Sequence, residues 1–522
     1  MTSANQAQAA STFATASLRE KYNELAEVLK EISYLNGAAG VLEWDQNVMM
    51  PPGASAVRAK QMSALSGLIH EKSTSKTLGS ILNELNTRIP KEKHDFNEYE
   101  LANIRIAEHD YSKVTRVPSE LVKAKAELQG KGYDVWVNAR EKSDWKIFEP
   151  IMEEWVRICK EYAKCINPDI SPYDVHLDDY ERGLTSERLD ELFSDLKRDL
   201  IPLIHRIKSS ENQPDASFLK GTFSVEKQAA FSHAIAKQLG FNTDVGRLDV
   251  SVHPFTQSSH PTDVRMTTRY IETKPMEGIT GTIHETGHSL YEQGRNIEYA
   301  DLPVSQALSF GIHESQSLLW ERMVGLSRPF WQYFLPKLQS QFPDNITDSI
   351  TTEQFYRAIN ISEPGFIRVG SDEVTYPMHI ILRYEIERDL LNSKMEVKDV
   401  PKVWNAKMKE YLGLDVPNNK VGVLQDMHWA ASLWGYFPTY VLGSIYAVQF
   451  WQTIKQALPT LDQDIAQGNF APLRLWLNEN IHRVGSVYRS GDELVKHVTG
   501  SPLDARIFTR YVTEKYTDIY KL

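Results

Sequence analysis

GTIHETGHSLYEQG, Gly281 to Gly294, holds two histidines four residues apart with a glutamate directly after the first. On an α-helix, side chains at i and i+4 stack on one face, so the imidazoles of His284 and His288 reach toward the same point. That spacing suits one tetrahedral divalent cation, and Glu285, one position round the helix, falls beside the coordination position left open for water. From there its carboxylate can take a proton from that water. Gly278, Gly281 and Gly287 weaken the helix, each costing about 1 kcal/mol relative to Ala, and a glycine inside a helix points to close approach by a neighbour. The segment is composed for proximity rather than for helix stability.

Such a site needs a third protein ligand, with the fourth position kept for water. Downstream, SQALSFGIHESQSLLWERMVG (Ser305 to Gly325) carries Leu308, Ile312, Leu319 and Met323 at helical spacing, with Glu314 at its centre. A second helix bearing Glu314 as the third ligand is expected. His313 beside it competes for that role.

Composition narrows the class of protein around this motif. The chain has 522 residues, 41% apolar and 24% charged, the balance of a folded globular protein. No stretch approaches the roughly 18 uninterrupted apolar residues of a spanning helix, so no membrane partner is expected. A formal charge of −11 argues against a nucleic-acid partner, whose phosphates would have to be neutralised by Lys and Arg. Cys159 and Cys165 are the only cysteines, so there is neither a disulfide framework nor a thiolate metal cluster, and a reducing, cytoplasmic location is expected. The metal must be held by His, Asp or Glu. Residues 1–16 read as a flexible tail; their Ser, Thr and Ala content hints at organelle targeting, but they contain no arginine.

Outward from the motif the pattern is helical. Ser17 and Glu20 form a capping box, and Leu18, Tyr22, Leu25, Leu29, Ile32 and Leu35 follow at steps of three and four until Gly37, where the helix is expected to stop. SERLDELFSDLKRDLIPLIHRI (Ser186 to Ile207) repeats this periodicity. Polar stretches from Ile89 and Lys208 read as connections, the second being the best internal boundary. It divides residues 17–522, one catalytic unit, into a mostly helical lobe (17–210) and a metal-binding lobe (211–522). Asp263 to Tyr270 alternates at the period of two expected of a sheet-edge strand.

Beyond these readings the sequence resembles the metallocarboxypeptidase family typified by the thermostable carboxypeptidase Taq. The resemblance is carried, in order, by His253-Pro254-Phe255; by Asp263, Arg265 and Thr267; by the HETGH run; by His313 to Gln316; by Ile367, Arg368 and Asp372; and by Gly422, Gln425, Asp426, His428 and Trp429. LEWDQNVMMPPGA (Leu42 to Ala54) extends it upstream. Two positions depart from the family pattern: Ser371 stands where a smaller residue is usual, and Trp434 where Phe is.

The resemblance implies a mainly α, two-lobed helical zincin-type fold, neurolysin-like, with a long central groove and a small β-sheet near the active site. It implies a homodimer that removes single residues from peptides with a free C terminus, with broad specificity. It also implies zinc as the one divalent metal per chain, although cobalt and manganese accept the same ligands. Catalytic roles fall on Glu285, on His428 and on Tyr440 twelve positions later as the donor to the developing oxyanion, with Tyr436 as runner-up. Arg368 is the expected anchor for the terminal carboxylate, unless it is tied up in an ion pair with Asp372 or Glu373; Arg265 is the alternative anchor, and His253 joins the substrate-binding set. A zinc endopeptidase would share every ligand and differ only in whether the groove is closed behind the scissile bond. A non-catalytic peptide-binding module would have no use for the base at Glu285.

Overall fold

A computed structural model describes residues 16–522. The expected tail lies outside the described residues except for Ala16, whose carbonyl accepts a hydrogen bond from Arg88 (2.8 Å). Helices dominate, and among the described residues a single three-stranded sheet completes the fold. No described helix is long and apolar enough to cross a membrane.

The first helix, Leu18–Val48, opens on the expected capping box, with the Glu20 amide donating to the Ser17 hydroxyl and the Ser17 amide donating to the Glu20 carboxylate. It does not stop at Gly37. Gly37 and Gly40 lie where the helix presses on strand β2 (Thr256–His260), and a Cβ at Gly40 would run into the Gln257 side chain. These glycines permit contact between elements instead of ending one.

Strand β1 is Gly246–Val250 and β3 is Asp263–Thr268. The order is β1-β3-β2, with β3 parallel to β1 and antiparallel to β2. The expected edge strand is thus the central one. Alternation reports which face of a strand is buried, whereas hydrogen-bonding neighbours on either side leave no mark on it. Val264 and Met266 are fully buried, and Thr268 donates its hydroxyl to the Gly278 carbonyl (3.2 Å), fixing β3 under the helix Pro275–Gln293 that carries His284 and His288.

The polar stretch after Ile89 connects helices Lys76–Arg88 and Glu98–Arg116, and that after Ser209 follows helix Ser186–Ser209. The largest apolar cluster runs from Leu128 to Tyr520 across this second connection. A smaller cluster joins Leu18–Ala107 side chains with Leu302.

Candidate metal centre

Three helices meet at the site. Gly287, in the middle of the histidine helix, faces the helix Phe310–Leu318; a Cβ there would lie 2.6 Å from the Gln316 carbonyl oxygen and from Ser317 Cα. Glycine therefore sets how closely the two helices cross. The second helix is capped by Ser309, whose hydroxyl accepts the Ile312 amide proton (3.1 Å), and the buried Glu181 carboxylate accepts that of Gly311. From the third helix, Pro438–Ala457, Gly443 lies against Glu314: a Cβ would meet Glu314 Cγ at 2.6 Å and Cβ at 2.8 Å.

The result is a convergence of donors. Ligand atoms of His284, His288 and Glu314 all lie within 4.8 Å of one another. Glu314 Oε2 stands 3.9 Å from His284 Nε2 and 3.5 Å from His288 Nε2. Ligands about 2.0–2.2 Å from a tetrahedral ion are spaced by about 3.4 Å, so the donor set fits a divalent cation in both chemistry and span.

Each imidazole is held from its other nitrogen, the arrangement that aims a histidine at a metal. His284 Nδ1 meets Glu321 Oε2 at 2.7 Å. Glu321 lies on a π-helical turn, Leu319–Gly325, continuing the Glu314 helix; such turns recur at functional sites. His288 Nδ1 meets His313 Nδ1 at 2.6 Å, His313 Nε2 meets Glu292 at 3.0 Å, and Arg295 pairs with Glu292 at 2.9 Å. His313, the competing third ligand, stands outside the converging set and supports His288.

The electrostatics follow this wiring. Burial opposes charge on His284, but its hydrogen bond to Glu321 and the carboxylate of Glu314 outweigh that and hold its pKa at about 9. Burial likewise opposes charge on Glu314; the bond to His288 and the positive charges of His284 and Arg322 prevail and hold it at about 2. The negative surplus that draws a proton onto His284 also attracts a cation.

Glu285 faces the same cavity, of about 540 Å³, and accepts a hydrogen bond from the Thr256 hydroxyl (2.7 Å) at the start of β2. Tyr436 lines the cavity too. Tyr440 packs edge-on against Tyr436 (5.2 Å between ring centres) and its hydroxyl lies 3.3 Å from His428 Nε2. Burial pushes the Tyr440 phenol well above its ordinary value and that of Tyr436 up to about 12, so both remain O–H donors at neutral pH. Burial lowers His428 to about 4, which keeps it neutral.

Arg368 is buried. Its Nε and Nη2 donate to Asp426 Oδ1 (3.0 and 2.9 Å) and its Nη1 to the Tyr376 hydroxyl (2.9 Å). Its carboxylate partner is therefore Asp426, not Asp372 or Glu373. Asp372 instead accepts the amides of Val374 and Thr375, and Glu373 pairs with Lys515. Arg383 takes the other oxygen of Asp426, leaving two guanidiniums on one carboxylate. Arg265 pairs with Asp263 (2.8 Å) and lies over Trp44. His253 is exposed; the cavity is lined instead by the two residues after it, Pro254 and Phe255. Of the departures, Ser371 donates to the Ile367 carbonyl (3.2 Å) and Trp434 is buried beside Trp429.

A family model of the carboxypeptidase Taq (M32) metallopeptidases matches residues 24–516. The chain belongs to the carboxypeptidase Taq (M32) family. It is 37% identical to Carboxypeptidase 1 of Bacillus subtilis over 96% of this chain and 98% of that protein. It is also 37% identical to Thermostable carboxypeptidase 1 of Thermus thermophilus, over 96% and 99%. The crystal structure of the M32 carboxypeptidase from Deinococcus radiodurans superposes with a TM-score of 0.92 at 33% identity, over 96% of this chain and all of that one. As a carboxypeptidase Taq family member, the chain is a metal-dependent carboxypeptidase acting on peptides, with the mainly helical fold of its relatives.

Three residues of this M32 centre escape a reading of the sequence. Glu321 follows Glu314 by seven positions, two helical turns, and that spacing was a usable signal. Glu292 follows His288 by four on the same helix. Thr256 gives no local signal, because it reaches Glu285 from a separate element.

Proposed function

We propose that the chain is a zinc carboxypeptidase in which His284, His288 and Glu314 hold the ion and Glu285 serves as general base and acid. The observation that carries this is the convergence of two imidazole Nε2 atoms and one carboxylate, each imidazole braced from behind. Two nitrogens and one oxygen are a usual donor set for catalytic zinc. When bound, a divalent ion supplies Lewis-acid polarisation of the scissile carbonyl and makes a water acidic enough to act as nucleophile near neutral pH.

The chain's own groups do the rest. The Thr256 hydroxyl fixes the Glu285 carboxylate, which takes the proton from the attacking water and delivers it to the departing amine. Tyr440, beside a neutral His428, donates to the carbonyl oxygen as it gains charge, and Tyr436 is the alternative donor. Arg368 and Arg383 share Asp426, so the cluster keeps one surplus positive charge for the substrate's terminal carboxylate, with Arg368 as the anchor. Arg265, engaged with Asp263 and Trp44, and His253, outside the cavity lining, have no direct substrate contact in this reading. Residues 17–522 act as one catalytic unit, divided into lobes of 17–210 and 211–522. Resemblance to the family supports a homodimer, and two free cysteines support a cytoplasmic setting.

The test is to incubate the purified protein with a defined peptide, free or amidated at its C terminus, with and without chelator and zinc add-back, and to follow products by mass spectrometry. The expected result is a ladder shortening one residue at a time from the free C terminus, abolished by chelation and restored by zinc. In Arg368→Ala the ladder should fail on free carboxylates while slow cleavage of the amide is unchanged. Internal fragments instead of a ladder would overturn the carboxypeptidase reading.

A further inference from the structure

Two cavities adjoin along β2. The metal cavity is lined by Thr256, and a second, of about 620 Å³, is lined by the next three residues, Gln257 to Ser259; Gln306 lines both. A strand advances about 3.3 Å per residue, so a chain following β2 from Thr256 to Ser259 passes roughly 10 Å out of the metal cavity into its neighbour. The first helix, which packs on β2 through Gly37 and Gly40, lines this second cavity from Leu29 to Glu43. Its size suits a few residues of extended peptide.

The charge of that space has one sign. Every charged side chain lining it is acidic: Glu43, Asp110 and Asp301. Asp110 is already shared between Arg182 and His109, both at 3.1 Å. Asp301 accepts a hydrogen bond from the Tyr34 hydroxyl (3.2 Å) and stands 3.8 Å from His260 Nε2. Glu31 and Asp45 on the first helix pair with Lys72 and Arg58, whereas Glu43 between them has no such partner among the described residues.

We propose that this second cavity is the subsite for the substrate's upstream residues, and that Glu43 and Asp301 select a basic side chain about three residues before the scissile bond. The inference rests on the carboxypeptidase reading: with the terminal residue held at the metal cavity, a peptide that continues along β2 places its upstream residues in the second cavity. A peptide too short to pass Gln306 is indifferent to the subsite.

The test compares kcat/KM for N-blocked hexapeptides identical except for Lys, Ala or Glu at the third residue upstream of the cleaved bond. Each value is normalised to an N-blocked dipeptide turned over by the same preparation. The wild type should favour Lys over Glu by about three- to tenfold, the range of a partly screened ion pair, and the ratio should fall toward one at high salt. In Glu43→Gln/Asp301→Asn the ratio should fall toward one at low salt as well. A wild-type ratio near one, a ratio insensitive to salt, or one unmoved by a folded double variant would overturn the subsite. Failure to cleave even the dipeptide would instead count against the carboxypeptidase reading.

Discussion

Removing the Glu321 carboxylate separates aiming a ligand from being one. His284 would keep its place on the helix but lose the 2.7 Å contact that fixes its tautomer and leaves Nε2 for the ion. Loss of such an orienting partner weakens metal binding about 10–100-fold. Glu321→Ala should therefore need about that much more free zinc for half-maximal activity, measured by titration against a buffered chelator, and should regain near wild-type turnover at saturation. A full loss of turnover at saturating zinc would mean that Glu321 does more than orient. At this scale the sequence was most legible where the candidate residues are packed into one short stretch of helix, as with His284, Glu285 and His288. It was least legible where partners arrive from elsewhere, as Thr256 does on Glu285. Arg368 illustrates why. Its neighbours in sequence, Asp372 and Glu373, are engaged in capping backbone amides and in pairing Lys515, so its own partner is Asp426, far along the chain.

Among elements, glycines report packing that hydrophobic periodicity does not. Gly443 presses on Glu314, and adding one methyl there must displace the carboxylate-bearing side chain near its root. Gly443→Ala should cost about 1–3 kcal/mol of stability through overpacking, together with a larger share of metal affinity than its fall in Tm accounts for. Gly67→Ala, in the helix Ser55–Ser73 with nothing within 4 Å of the added Cβ, should instead leave zinc affinity alone and raise stability slightly. Equal effects of the two on zinc affinity would refute the packing argument. The same physics explains two misread elements. Gly37 looked like a helix stop because a glycine at a terminus and one at a crossing are identical in sequence. Strand β3 looked like an edge because its alternation carries no record of how many strands flank it.

For the molecule as a whole, buried neutral histidines tie stability to pH. Burial lowers His176 from 6.5 to about 4, and His482 to about 3. Between about pH 6.5 and pH 4 the unfolded chain binds a proton at His176 that the folded chain refuses, so stability is fully present above 6.5 and is lost as pH falls toward 4. Such a shift is worth about 3 kcal/mol in total, of which about 2 kcal/mol is lost between pH 7 and pH 5. His176→Gln, which can still donate to the Cys159 carbonyl, should show a smaller drop in Tm between those two pH values than the wild type does. An identical drop would show that His176 does not titrate on unfolding. The overall architecture was legible in the sequence because helical periodicity recurs from Leu18 to the end. The meeting of three helices at one point was not, because crossing geometry depends on backbone approach that composition does not encode. That crossing also limits how the enzyme moves. Gly443 brings the helix bearing Tyr440 directly against Glu314, so the proposed metal ligand and the proposed oxyanion donor sit on two helices in close contact. Motion that admits a peptide or frees an amino acid is then expected to fall on other contacts, which would leave the spacing of these two groups unchanged.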